Sequence, residues 1–274
     1  MKQTPVGITA RYAVLVLFTI AVLVPFVSIV LAALQPQDTP ISGLNIPDQL
    51  TWSNFAEAWS QGHFNRLVLS SVIIAAIVVP LTVVLATLAG FSLALLRPPG
   101  ARGISLAFVL GLTLPVELVV VALYFNLRPL GLTNSYLGVA LAESALFLPF
   151  AVYWMQTHFG GVPRELVESG RIDGANDRNI LARVLLPISW PAITTLCVLD
   201  FMWSWNQFLL VLVMIADPMK RTAPAGLGFF VGEYSTNIPL LSAASIIVIA
   251  PIVVMYLLFQ RSFVNGITQG AVKG

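Results

Sequence analysis

The chain has 274 residues, of which 58% are hydrophobic and only 9% are charged. Soluble domains average about 25% charged residues, so this composition excludes an ordinary soluble domain and indicates a polytopic membrane protein. The net charge of +2 is too small to indicate nucleic-acid binding, and a single cysteine, Cys197, excludes a disulfide framework within the chain.

Six apolar segments are long enough to cross a bilayer, whose hydrocarbon core requires about 20 residues of helix. The sequence therefore predicts an all-α fold in which residues 1–274 form a single transmembrane domain. The predicted spans are residues 12–34, 67–96, 104–127, 136–158, 192–216 and 240–259. A signal peptide is the competing interpretation of the first segment, but its apolar run exceeds the usual 7–15 residues, which favours a retained anchor. In the second span, Ala86 and Gly90 form a small face suited to helix packing.

Three ionisable residues, Glu117, Glu143 and Asp200, lie at membrane depth in the predicted spans. Such residues mark a pathway or a paired interior site. One hypothesis is a proton-coupled secondary transporter or channel in which these carboxylates relay protons. The other is a structural role, in helix capping or in hydrogen bonds between helices.

A charged polar interval, residues 161–187, separates the fourth and fifth spans and must lie outside the hydrocarbon. Pro163 suits the start of a helix, Glu165 its first turn and Gly174 its end. Asn176 or Asp177 can cap a second helix that is expected to end at Pro187. The interval is therefore predicted to be two short helices around a glycine turn.

The fifth span carries the polar-aromatic run Trp203, Ser204, Trp205, Asn206 and Gln207. At membrane depth these side chains could stack on a solute and hydrogen-bond to it, and we name Trp203, Trp205, Asn206 and Gln207 as candidate substrate-pathway residues. The alternative is that they pack against a partner subunit, with the amides hydrogen-bonding across helices.

Lysine and arginine placement predicts the orientation. Ten of these residues lie in one set of connecting segments and four in the other, so the first set is expected to be cytoplasmic. Six spans then place both termini and the 161–187 interval in the cytoplasm. The first set is Lys2, Arg11, Arg97, Arg102, Arg164, Arg171, Arg178, Arg183, Arg261 and Lys273.

The 161–187 interval resembles the "EAA" loop of ABC importer permeases. Glu168-Ser169-Gly170, then Gly174, then Val184, Leu186 and Pro187 have its spacing, with Ser169 and Gly170 in place of two alanines and Val184 in place of isoleucine. Residues 172–175 look like the carbohydrate-uptake, maltose-type branch. Further similarity lies in residues 85–97, 130–135, 205–209 and 263–274, so that the resemblance extends from about residue 65 to the end.

The resemblance implies that the interval is a coupling helix that docks on a cytoplasmic ATPase. The residues expected to carry that contact are Glu165, Glu168, Arg171, Asp173, Gly174 and Ala175. It also implies the partners: a second homologous permease subunit, an ATPase dimer that binds ATP and Mg, and an extracytoplasmic solute-binding protein facing residues 221–233. The expected location is a prokaryotic inner membrane.

Several motifs are missing from the sequence. The only lysines are Lys2, Lys220 and Lys273, and none follows a glycine as a P-loop requires, so this chain cannot supply that ATP site. It also lacks the His-Glu-x-x-His and Gly-x-Ser-x-Gly motifs. We therefore expect a non-enzymatic subunit without a cofactor or metal of its own. The resemblance implies that this subunit forms half of a translocation pathway for a sugar or sugar-like solute. A membrane subunit that only assembles partners is a further alternative.

Overall fold

The structure, a computed structural model, describes residues 5–37, 44–232 and 236–271, and describes side chains only between residues 11 and 260 of those ranges. All secondary-structure elements that the described residues form are helices, apart from one isolated antiparallel bridge between Val231 and Thr236, which confirms the all-α prediction. Lys2, Lys273 and Glu233, which enter the predictions of orientation and of the binding-protein loop, lie outside the described residues.

The helices overlap all six predicted spans, but the third and fifth spans are each interrupted and the last helix continues past residue 259 to Ala271. Within the described ranges, five helices are long and apolar enough to cross a membrane, and a bent pair would make a sixth span. The helices are α1 (Pro5–Ala33), α2 (Ser53–Gln61), α3 (Phe64–Phe91), α4 (Ala101–Gly111), α5 (Val116–Leu127), α6 (Tyr136–Gly160), α7 (Arg164–Ile172), α8 (Asp177–Asn179), α9 (Leu186–Asn206), α10 (Leu209–Met214) and α11 (Ile238–Ala271). Two π-helical turns, Ser92–Leu96 and Ile180–Leu185, extend α3 and join α8 to α9.

The chain divides into two compact units, residues 1–65 with 226–250 and residues 66–225 with 251–274. The prediction of one domain over residues 1–274 remains a prediction. In the first unit, the buried Asn54 of α2 holds the end of α1. Its amide nitrogen donates to the carbonyl oxygens of Ala33 at 2.9 Å and Gln35 at 2.8 Å, so these groups near the helix end are satisfied.

The second unit is built around α6, which packs against α4, α5, α9 and α10. One apolar cluster joins α3, α6 and the start of α9 through buried residues that include Met155 and Phe159. A second cluster joins α3, α5, α6 and α10, with Val139 and Leu210 at its centre. Helix α6 therefore positions most of the other elements of this unit.

The predicted third span, residues 104–127, is divided between α4 and α5, and the chain bends by 107° between these two helices. The interruption lies at Leu112–Pro115, where Pro115 lacks a backbone N–H and adopts an extended ψ of 125°. Glu117 then lies in the first turn of α5, where its negative charge suits the helix dipole.

The predicted helix end at Pro187 is wrong, because the helix continues from Asp177 to Asn206. The reason is the π-helical turn Ile180–Leu185, in which the N–H of Leu186 donates to the carbonyl of Leu181, five residues earlier. The wider turn alters the register in which Pro187 meets the preceding carbonyls, so the proline does not break the helix.

Gly90, on α3, provides a test of the packing of α3 against α6. A Cβ at Gly90 would lie 2.7 Å from the Cβ of Met155 and 2.8 Å from the backbone N of Gln156, so α3 and α6 must separate to admit it. We expect Gly90→Ala to destabilise the protein by about 1–3 kcal/mol. The measurement is the fraction surviving size-exclusion chromatography after heating in detergent.

The matched control is Gly103→Ala on α4, where an added Cβ meets no atom within 4 Å. Equal thermal survival of the Gly90 and Gly103 variants would contradict the close α3–α6 packing.

Candidate functional site

Helix α7 has two faces that its sequence separates at helical spacing. Val167 is buried and Gly170 is half-buried, and both lie on the face toward the π-helical turn Ile180–Leu185. Glu165, Glu168 and Ile172 recur at i, i+3 and i+7 and are exposed, so they share the opposite face. The helix therefore presents a free surface while its other side is anchored on the chain that enters the fifth span.

The turn after α7 agrees with its prediction. Gly174 has φ +79°, the left-handed region that glycine occupies without strain, and the side chain of Asn176 accepts from the N–H of Asn179 at 2.9 Å. Arg171 pairs with Asp177 at 3.3 Å across the turn, although both side chains are about half exposed. An exposed pair adds little stability, so this contact orients Arg171 more than it holds the loop.

The structure places the six predicted coupling residues as follows. Glu165, Glu168, Arg171, Asp173 and Gly174 are exposed, Ala175 is half-buried, and Arg171 has a partner within the loop. A seventh residue was missed: Ile172 is 86% exposed, beside Glu168 on the free face. Its signal in the sequence was an isoleucine at i+4 from Glu168, opposite the anchored face of the helix.

A cavity of about 520 Å³ lies in the second unit, where two helix interruptions meet. One interruption is the α4–α5 bend, and the other is the break after Asn206, where the fifth span stops and helix resumes only at Leu209. The lining residues are Gly111, Leu112, Leu114, Val116, Val119, Ala145, Leu146, Phe147, Pro149, Phe150, Trp203, Asn206 and Gln207. Irregular backbone at membrane depth is tolerated where it is buried in protein or lines a cavity, and both interruptions line this one.

One wall of the cavity is aromatic. The centroid of the Trp203 ring lies 5.0 Å from that of Phe150, in an edge-to-face arrangement, and 5.6 Å from that of Phe147. The two phenylalanines of α6 were not predicted as site residues, and their only signal was aromatic spacing on either side of Pro149. A wall of this kind can stack on the apolar face of a ring-shaped solute.

Three of the four predicted pathway residues line this cavity, and one does not. Trp203, Asn206 and Gln207 are lining residues. Trp205 is 1% exposed instead, and the centroid of its ring lies 5.6 Å from that of Phe201. The side-chain amide of Asn206 donates to the carbonyl of Met202 at 2.9 Å. The two amides supply the polar groups of an otherwise apolar wall.

The three carboxylates at membrane depth occupy different surroundings. Glu117 is exposed on α5. Glu143 is fully buried and accepts a hydrogen bond from the hydroxyl of Ser204 at 2.5 Å. Asp200 is also fully buried, one turn before Ser204 on α9. Among the described residues, no three His, Cys, Asp or Glu side chains are grouped as a metal site would require.

Comparison with known proteins identifies the family. Residues 60–269 match the family described as binding-protein-dependent transport system inner membrane component. The chain belongs to this family. The match covers α3 to α11, with the cavity and the 161–187 interval inside it, which confirms the predicted family of permease subunits and a multi-pass membrane protein.

Individual relatives agree with the family. The chain is 32% identical to the probable ABC transporter permease protein YurM of Bacillus subtilis, over 98% of this chain and 90% of that protein. It is 29% identical to the diacetylchitobiose uptake system permease protein NgcG of Streptomyces coelicolor, over 96% and 88%. It is 31% identical to the trehalose transport system permease protein SugB of Mycobacterium tuberculosis, over 92% and 93%.

A solved structure supports the fold. The chain matches the crystal structure of a bacterial ABC transporter involved in the import of the acidic polysaccharide alginate, with a TM-score of 0.82. The match covers 96% of this chain and 99% of that one at 18% sequence identity, so it establishes the arrangement of helices alone.

Gly170 provides a test of the α7 geometry. A Cβ at Gly170 would lie 3.5 Å from Cγ1 of Ile180, an ordinary van der Waals contact, so alanine fits there. Because glycine weakens a helix interior by about 0.5–1 kcal/mol, Gly170→Ala should slow hydrogen exchange of the α7 amides by about two- to fivefold. Deuterium uptake of peptides from residues 161–187 measures this.

Gly174→Ala is the matched comparison, because its φ of +79° strains any side chain. It should accelerate exchange in the same peptides. Faster exchange in Gly170→Ala would mean that α7 does not pack on Ile180 as described.

Proposed function

We propose that this chain is a transmembrane subunit of an ABC importer and forms half of a translocation pathway for a sugar or sugar-like solute. The observation that carries the proposal is the meeting of two broken spans at one cavity with an aromatic wall. Discontinuous helices line solute sites in many transporters, because unwound backbone offers polar groups at membrane depth. Several relatives are themselves named as permeases for saccharides, including diacetylchitobiose and trehalose.

The lining of the cavity favours an uncharged solute. None of its described lining residues is Lys, Arg, Asp or Glu, and the polar side chains are the amides of Asn206 and Gln207. Amides donate and accept hydrogen bonds, as a hydroxylated ring requires, and the rings of Trp203, Phe147 and Phe150 supply apolar contact. A saccharide presents both hydroxyl groups that hydrogen-bond to amides and an apolar ring face that packs on aromatic side chains.

The exposed face of α7 supplies the contact with an ATPase in this proposal. Glu165 and Glu168 place two carboxylates beside Ile172, a large apolar side chain without cover in the described chain. An apolar anchor flanked by charges is a common form of protein interface, in which the anchor gives affinity and the charges give specificity. The ATPase dimer binds ATP and Mg, and its closure moves α7 and the helix that follows.

The remaining partners and the orientation belong to the same proposal. A second homologous permease subunit completes the pathway, and a solute-binding protein delivers solute to the outer face. Both termini and residues 161–187 lie in the cytoplasm of a prokaryotic inner membrane, as the lysine and arginine placement indicates. The family membership leaves the proton-coupled transporter without support, and the cavity favours a subunit that conducts solute over one that only assembles partners.

Trp203 tests the pathway. We expect Trp203→Ala to raise the KM for uptake about two- to tenfold, because the ring–solute contact is lost. The assay uses the assembled complex in proteoliposomes with its binding protein, and a panel of labelled diacetylchitobiose, trehalose and other neutral oligosaccharides identifies the transported probe first. Trp190→Ala, on the same helix with its ring 68% exposed, is the control and should leave KM unchanged. Equal KM values for both variants would remove Trp203 from the pathway.

Glu168 tests the coupling surface. We expect Glu168→Lys to leave the assembled complex intact but to lower uptake at least about tenfold, because a charge reversal at an interface costs several kcal/mol. Uptake per ATP hydrolysed is the measurement, and Glu168→Gln should give an intermediate ratio. Asp48→Lys makes the same change at an exposed site outside α7 and is the control. A normal ratio in Glu168→Lys would end the docking role of this residue.

A further inference from the structure

Glu143 is buried in the contact between α6 and α9 but does not line the cavity. Its side chain is fully buried, and Oε2 accepts the hydroxyl hydrogen of Ser204 at 2.5 Å. Among the described residues, Oε1 has no hydrogen-bond partner, and the only ion pair is the one between Arg171 and Asp177. The Ser204 hydroxyl is therefore the one described polar contact that holds this acid, and it connects two spans.

This hydrogen bond lies next to the aromatic wall on both helices. Phe147 follows Glu143 by one helical turn on α6, and Trp203 directly precedes Ser204 on α9. The ring centroids of Phe147 and Trp203 are 5.6 Å apart. The Glu143–Ser204 bond and the ring contact thus belong to one helix contact, about one turn apart.

Apolar helix contacts tolerate sliding and rotation, because one aliphatic side chain can replace another. A buried polar bond allows only the register in which its atoms meet, which is the best-attested use of such groups. A one-residue change in the register of α9 would turn Trp203 by about 100° around the helix axis, away from the cavity.

We propose that Glu143 is a positioning residue that, through Ser204, fixes the register of α9 against α6 and so holds Trp203 in the cavity wall. The role of Trp203 in binding solute rests on the proposed function, but the register of α9 can be tested without any solute. A proton relay is disfavoured, because Glu143 is fully buried and is absent from the cavity lining.

The test measures the position of the end of α9 with a thiol reporter. In a Cys197→Ser background, this chain then has Asn206→Cys, in the cavity lining, as its only thiol. The assembled complex in detergent is treated with a charged methanethiosulfonate reagent, and the modification rate is read on the band of this chain. A second background carries Asp48→Cys, at an exposed site in the first unit that belongs neither to the cavity lining nor to α7, as the reporter of general loosening.

We expect Glu143→Leu and Ser204→Ala each to change the Asn206→Cys rate by about threefold or more while the Asp48→Cys rate stays constant. Glu143→Gln retains an acceptor for the Ser204 hydroxyl and should restore the original rate. Ser144→Ala removes a neighbouring buried hydroxyl that has no hydrogen-bond partner among the described residues, and should have no effect.

An unchanged Asn206→Cys rate in both Glu143→Leu and Ser204→Ala would overturn the inference, as would an equal change at both reporters. If Glu143→Leu fails to assemble, Ser204→Ala alone decides, because it deletes a single oxygen. No step of this assay depends on transport. The register inference can therefore fail while the Trp203→Ala uptake result stands, and the reverse is equally possible.

Discussion

The constraint on which this structure depends is the absence of water in a bilayer. Every backbone N–H and C=O in hydrocarbon must find a partner, so a span that stops being helical must do so where its backbone is buried in protein or lines a cavity. Here both interruptions, at Leu112–Pro115 and after Asn206, lie at one cavity. The packing of α6 against α4, α5, α9 and α10 brings the two interruptions to the same cavity, so the site depends on that packing.

The sequence predicted the features that depend on composition and local chemistry. Apolar length located the spans, and the φ of Gly174 and the capping bond of Asn176 follow from residue preferences that act over one turn. The family followed from residue spacing in the 161–187 interval. These properties do not require knowledge of which residues meet in space.

The sequence did not predict features that depend on contacts between distant residues. Phe147 and Phe150 lie far from Trp203 in the chain and become a wall only when α6 packs on α9. Trp205 was expected in the pathway because it shares a polar-aromatic run with Trp203, but two residues on a helix differ by about 200° in direction. The helix end expected at Pro187 was wrong for another reason: a π-helical turn has no strong residue signature.

The helix from Asp177 to Asn206 connects the two parts of the candidate site. Its 30 residues without interruption correspond to about 45 Å, with the α7 turn at one end and the cavity wall at the other. A partner that shifts the first end favours one position of the second, and thermodynamic linkage makes such coupling reciprocal. A solute held against Trp203 would therefore change the affinity of the loop for its partner by the same factor that the partner changes the affinity for solute. In the proposed function, the π-helical turn keeps this helix continuous, so that occupancy of the cavity and docking at the loop act on one helix in place of two hinged segments.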